Sequence, residues 1–141
     1  MASVKRSSVH AVYIPKLDAE HRVIQEAVVE LRRTVEIGGL TEQAQAALQG
    51  LMYRLSAHLS GEERMMRSSV YPAYAWHKRQ HDAARKRVKE FAGRVREGDP
   101  AAVPELLDFF KAWLRDHTGL HDRMMGAYLR NFDRGRHKTV S

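Results

Sequence analysis

Several histidines and acids stand where an amphipathic chain should carry aliphatic side chains. In HLSGEERMM, His58 and Glu62 are four residues apart, and in HKRQH the same spacing separates His77 from His81. His21 closes LDAEH, and His117 opens HTGLHD, which offers both His121 and Asp122. Imidazoles and carboxylates without sulfur form a donor set that favours iron or manganese over a copper or zinc structural site. Five imidazoles and two carboxylates are too many for one tetrahedral zinc. They suit two octahedral-leaning ions bridged by the carboxylates. The chain has no cysteine. That excludes disulfides, thiolate nucleophiles and cysteine-held zinc or iron–sulfur sites, and it fits a reducing cytoplasm.

Helices must position these donors, because almost no stretch alternates with period two while four segments show helical spacing. The first runs from about Asp18 to Glu36, with Leu17, His21, Ile24, Val28, Leu31 and Val35 on one stripe. Asp18 is its expected N-cap and Gly38-Gly39 its stop. The second starts near Thr41, carries Leu48, Leu51, Leu55, His58, Glu62 and Met65, and ends at SSVYP, where Pro72 cannot continue it. The third carries Tyr74, His77, His81, Ala84, Val88, Phe91 and Val95 and stops at Gly98. Asp99-Pro100 opens the fourth, with Leu106, Phe110, Trp113 and His117, then Leu120 or His121, Met124 and Tyr128, fraying in the basic tail RNFDRGRHK.

The expected architecture is all-α: an up-down-up-down antiparallel four-helix bundle in one domain, 1–141. The bundle spans about 17–132, flanked by a flexible N-terminal arm and a basic tail. That topology brings the start of helix one, the end of two, the start of three and the later half of four to one end. His21, His58, Glu62, His77, His81 and the HTGLHD segment then point inward at one level. Unpaired buried imidazoles and carboxylates each cost up to several kcal/mol, and a metal removes that cost by taking the lone pairs.

The remaining features are bland. A net charge of +7 and pI near 10 permit non-specific attraction to nucleic acid or anionic membrane. The basic residues are interleaved with acids, however, so a solvated surface with no specific nucleic-acid partner is expected. No secretory signal or membrane-spanning segment is legible. Glu63 and Arg64 read as solvated surface, and Met65, Met66, Met124 and Met125 as core filler. Trp113 reads as a hydrophobic wall beside the site. His10 and His137, in the flanks, carry no role.

With these pieces in order, LDAEH, HLSGEE, HKRQH and WLRDHTGLHD, the chain resembles the hemerythrin family, specifically single-domain bacterial hemerythrins, over about residues 14–130. The resemblance implies one iron held by His77, His81 and His117 and a second held by His21 and His58. Glu62, Asp122 and a solvent-derived oxo or hydroxo group would bridge them. It further implies dioxygen binding at the open second iron, held as a hydroperoxide, for storage, delivery or sensing, without enzymatic turnover. A sensor of this length would act through a separate protein partner.

On a regular helix Asp122 lies about 140° from His117, whereas His121 lies closer to the same face. Spacing alone favours His121. The family pattern favours Asp122, with a local widening of the helix eased by Gly119, and leaves His121 beside the site or as a substitute ligand. Thr118 follows His117 where bacterial hemerythrins usually carry a bulky apolar side chain, and Leu59 replaces the common Phe after His58. The N-terminal region also lacks the Trp that often precedes the first helix. A more polar, roomier pocket admits water and protons. The second reading is therefore a di-iron enzyme acting on peroxide, nitric oxide or ferrous iron.

Overall fold

Pro15 starts the first helix, α1 (Pro15–Gly38), at a position where its missing N–H costs nothing. Asp18 therefore lies inside the first turn, near the positive end of the helix dipole, and is not the expected N-cap. Gly39, at φ 74°, ends α1 and donates its N–H to Val35 O at 2.8 Å. Thr41 caps α2 (Glu42–Ser68) by accepting the Ala44 N–H at 3.1 Å. The exit of α2 is a Schellman turn: Tyr71 N–H bonds Met66 O at 2.9 Å, and Val70 takes the left-handed position at φ 53°. Glycine normally occupies that position, so Val70 is strained there. Pro72 follows, and α3 spans Tyr74–Arg96. Asp99 accepts the Ala101 N–H at 2.9 Å, which sets the entrance of α4 (Ala102–Asp116) slightly later than the Asp99-Pro100 pair suggests.

The last rod of the bundle is continuous but not regular. Between α4 and α5 (Asp122–Val140), residues His117–His121 form one π-helical turn. The helix continues through the tail in which fraying is expected. This computed structural model describes residues 14–140, with side chains through 133. The expected N-terminal arm, with His10, and the His137 side chain lie outside the described residues. No strand occurs among the described residues. Consecutive helices pack on each other, and the first packs on the fourth, closing the bundle.

The interior has three layers. A large apolar core, including Val28, Leu31, Leu51, Phe91, Leu106 and Phe110, fills one half. Leu17, Met66, Tyr71, Met125 and Leu129 form a smaller apolar cap. The buried polar residues His21, His58, Glu62, His77, His81, His117 and Asp122 belong to the same helices, on the stripes that build these two clusters. Both apolar clusters lower the local dielectric, which strengthens every interaction among those groups.

The π turn corrects the expected stripe of the last rod. Leu120 and Met124 are exposed, whereas Asp122, Met125 and Leu129 are buried. A π turn holds one more residue than an α turn, so everything after it is rotated by one position. Tyr128 lies half-buried at the edge and donates its hydroxyl to Ser69 O at 2.7 Å, tying α5 to the α2–α3 turn.

Candidate metal centre

His21 on α1, His58 and Glu62 on α2, His77 and His81 on α3, and His117 and Asp122 around the π turn converge as the topology requires. All seven are at most 2% exposed. Their donor atoms fall into two overlapping groups: Glu62, His77, His81, His117 and Asp122 in one, His21, His58, Glu62 and Asp122 in the other. Within each group the atoms lie within 4.8 Å of one another.

Each carboxylate divides its oxygens between the groups. Glu62 Oε1 lies 3.0 Å from His81 Nε2 and 3.3 Å from His117 Nε2, while Oε2 lies 3.1 Å from His58 Nε2. Asp122 Oδ1 lies 2.8 Å from His117 Nε2 and 3.1 Å from His77 Nε2, while Oδ2 lies 3.0 Å from His21 Nε2. Two pairs of imidazoles also face each other through Nε2, His21 with His58 at 3.1 Å and His81 with His117 at 3.2 Å. His77 Nε2, Glu62 Oε2 and Asp122 Oδ1 have no hydrogen-bond partner. Orphaned buried atoms of this kind are rare in native proteins, and the donor set fits cations that accept nitrogen and oxygen lone pairs.

The π turn decides which residue of HTGLHD joins the cluster. It spreads five residues over one turn, so His117 and Asp122 share a face, with the Asp122 N–H bonded to His117 O. The His121 ring stays outside both groups, with its centroid 5.7 Å from that of His117 and 4.3 Å from that of Trp76. Gly119 faces open space and has no left-handed backbone, so the widening does not depend on glycine.

Two acids beside the donor set hold imidazoles from behind. His58 Nδ1 donates to Glu20 Oε1 at 2.7 Å, and His81 Nδ1 donates to Glu63 Oε2 at 2.8 Å. Such a bond fixes the tautomer so that Nε2 presents its lone pair inward. Glu63 is buried and also accepts from Arg85 at 2.7 Å, which corrects its reading as solvated surface. Neither acid lies on a core stripe, so the helical pattern could not find them. The available signal was chemical: a buried ligand imidazole needs an acceptor at its other nitrogen, and an acid adjoins His21 and Glu62.

Trp113 stacks on His117, centroids 4.4 Å apart and planes at 11°, so the expected wall stands against a donor ring. Leu59 is fully buried and belongs to the large core. Thr118 is also buried, but its hydroxyl donates to Leu114 O within the helix, so part of its polarity is spent there. Tyr71 was not anticipated; its ring packs edge-on to His77 at 6.3 Å.

Burial opposes charge on His58, but the nearby Glu62 carboxylate and the bond to Glu20 outweigh it and push the imidazole up to about 10. His117 is pushed up to about 9 against the same opposition, chiefly by Asp122. Burial raises Glu62 and Asp122, and the Glu62 charge raises Asp122 further. The imidazoles, His58 foremost for Glu62 and His117 for Asp122, still pull both below the usual carboxylate range. The side chains alone thus hold protons that a bound cation must displace.

Comparison with known proteins agrees with this geometry. The family model described as the hemerythrin HHE cation binding domain matches residues 12–129. A bacteriohemerythrin of Aquifex aeolicus is 35% identical over 83 residues, which cover 57% of this chain and 63%, less than two thirds, of that protein. A myohemerythrin of Sipunculus nudus is 30% identical over 106 residues, 75% of this chain and 77% of that one. A bacteriohemerythrin of Methylococcus capsulatus is 25% identical over 112 residues, 79% and 85% of the two chains. A crystal structure of a hemerythrin point mutant superposes with a TM-score of 0.73 at 22% identity, over 82% of this chain and 88% of that chain. That last likeness establishes the fold alone. A matching family model over most of the length, together with relatives of this kind, makes the chain a bacteriohemerythrin-like member of the hemerythrin family.

Proposed function

We propose that the chain binds two non-heme iron ions and, through them, dioxygen, serving storage, delivery or sensing. His77, His81 and His117 would hold one ion, His21 and His58 the other, and Glu62 with Asp122 would bridge them. The observation that carries this reading is the division of each carboxylate between the two histidine groups. Such a pair would supply the electrons for reversible dioxygen binding, and His21 with His58 would give its ion fewer protein donors than His77, His81 and His117 give theirs.

The chain's own residues contribute the rest. Glu20 and Glu63 hold the Nδ1 protons of His58 and His81. Leu17, Met66 and Met125 on one side, and Leu59 and Leu114 on the other, supply apolar cover that limits water. Two carboxylates, against the four of ferritin-like di-iron sites, stabilise high-valent iron less, which favours reversible binding over oxygen activation. Among the described residues no helix is long and apolar enough to cross a membrane. The proposed compartment is the cytoplasm, in keeping with the cysteine-free composition.

An anaerobic titration tests the reading. The diferrous protein should gain a charge-transfer colour with dioxygen and lose it repeatedly under argon. Irreversible conversion with rapid peroxide turnover would establish the enzyme instead. Far fewer than two irons per chain after iron-replete expression would sink both. Asp122→Ala should empty or cripple the site, whereas His121→Ala should keep two irons per chain; the opposite result overturns the assignment around the π turn.

A further inference from the structure

The seven proposed ligands are sealed from solvent, so iron needs a way in. A cleft of about 240 Å³ between α3 and the last rod reaches one of them: it is lined by His117 together with Gln80, Trp113, Asp116 and His121. His121 lines the cleft beside His117. Its ring is half-buried, lies 5.7 Å from His117 and 5.9 Å from His77 by centroids, and its Nδ1 is buried without a hydrogen-bond partner. His121 also belongs to the π turn, in which helix hydrogen bonding is locally rearranged.

We infer that this cleft is the uptake route for iron and that His121 is a transient ligand, receiving the hydrated ferrous ion and passing it to His77 and His117. The imidazole of His121, the carboxylate of Asp116 and the amide of Gln80 offer the nitrogen and oxygen donors that a ferrous ion accepts. None of them belongs to the sealed donor groups. A lone imidazole with few partners suits a transient role, since too tight a first site would trap the ion. The inference rests on the di-iron reading above and adds where loading begins.

The chain carries a built-in reporter. Of its two tryptophans, Trp76 packs on His121 and Trp113 stacks on His117. The test mixes metal-stripped full-length protein with ferrous iron under anaerobic conditions and follows both iron uptake and tryptophan fluorescence. His121→Ala should slow loading about tenfold, at the low end of what residues beside a metal's ligands do, and should still reach the wild-type iron content. In Trp113→Phe protein, quenching of Trp76 should precede filling of the site, and the added His121→Ala change should abolish that early phase.

Unchanged loading by His121→Ala overturns the inference. A lower final iron content in His121→Ala also overturns it, because His121 would then be a resident ligand. Wild-type protein that takes up no iron is a separate result, which removes the di-iron reading first.

Discussion

Where Leu31, Leu51, Phe91 and Phe110 meet, the four helices are joined by side chains that need nothing but each other. On the same helical stripes, His21, His58, Glu62, His77, His81, His117 and Asp122 meet with orphaned lone pairs and held protons. Both regions keep the same spacing and the same near-complete burial. They differ in what closes their energetics: the apolar half gains by excluding water, while the polar layer gains fully only when a cation takes its lone pairs. Stability in the first is intrinsic, and in the second it is conditional on a ligand.

The largest effects should separate the halves. Phe110→Ala removes a fully buried ring and should cost about 3–5 kcal/mol in urea unfolding, with or without iron. Chelation should instead destabilise wild type by about 4 kcal/mol per site if iron is held at about 1,000 times its Kd. Equal melting temperatures before and after chelation would break the comparison.

Next comes pH, read in the metal-stripped protein. His58 and His117 have folded values near 10 and 9, above the ordinary 6.5, so their contribution is complete below 6.5 and is lost as pH rises through 9 and 10. Glu62 and Asp122 are depressed, so theirs is present above their ordinary values of 4.5 and 3.8 and is lost as pH falls below them. Stability should therefore peak between these limits and fall by the order of a few kcal/mol at high pH. A pH series of thermal melts checks this, and a flat profile from pH 6 to 10 would contradict it.

Smaller again are the changes behind the ligands. Glu63→Gln should weaken iron binding by about 10- to 100-fold, read by competition with a chelator. Glu20→Gln should weaken it less, because Glu20 is 31% exposed and water can replace it, whereas Glu63 is buried against Arg85. The reverse order would show that exposure does not set the strength of these supports.

The smallest effect sharpens the role of the π turn. Deleting exposed Leu120 converts the five-residue turn to an α turn. Asp122, Met125 and Leu129 would then follow His117 at regular α-helical spacing, still on its face. Iron content and fold should survive. Loss of iron would mean that the site needs the π geometry itself, beyond the facing it provides.

The sequence by itself determined the four helices, their order, the inward face of the first three and of the fourth as far as His117, and the convergence of His21, His58, Glu62, His77, His81 and His117. These follow from a period of 3.6 and from short connections, which are local properties. The family pattern added Asp122. Spacing could not choose between Asp122 and His121, because a regular helix turns Asp122 away and a single sequence does not announce a π turn. The same blind spot placed Met124 and Tyr128 on the buried stripe, where the structure puts Met125 and Leu129. Glu20 and Glu63 sit off the stripes and gain their roles only because α1 brings Glu20 against His58, and α2 brings Glu63 against His81. Tertiary structure decided these points because the partner of a buried imidazole, and the turn that aims a carboxylate, depend on which helices stand beside it.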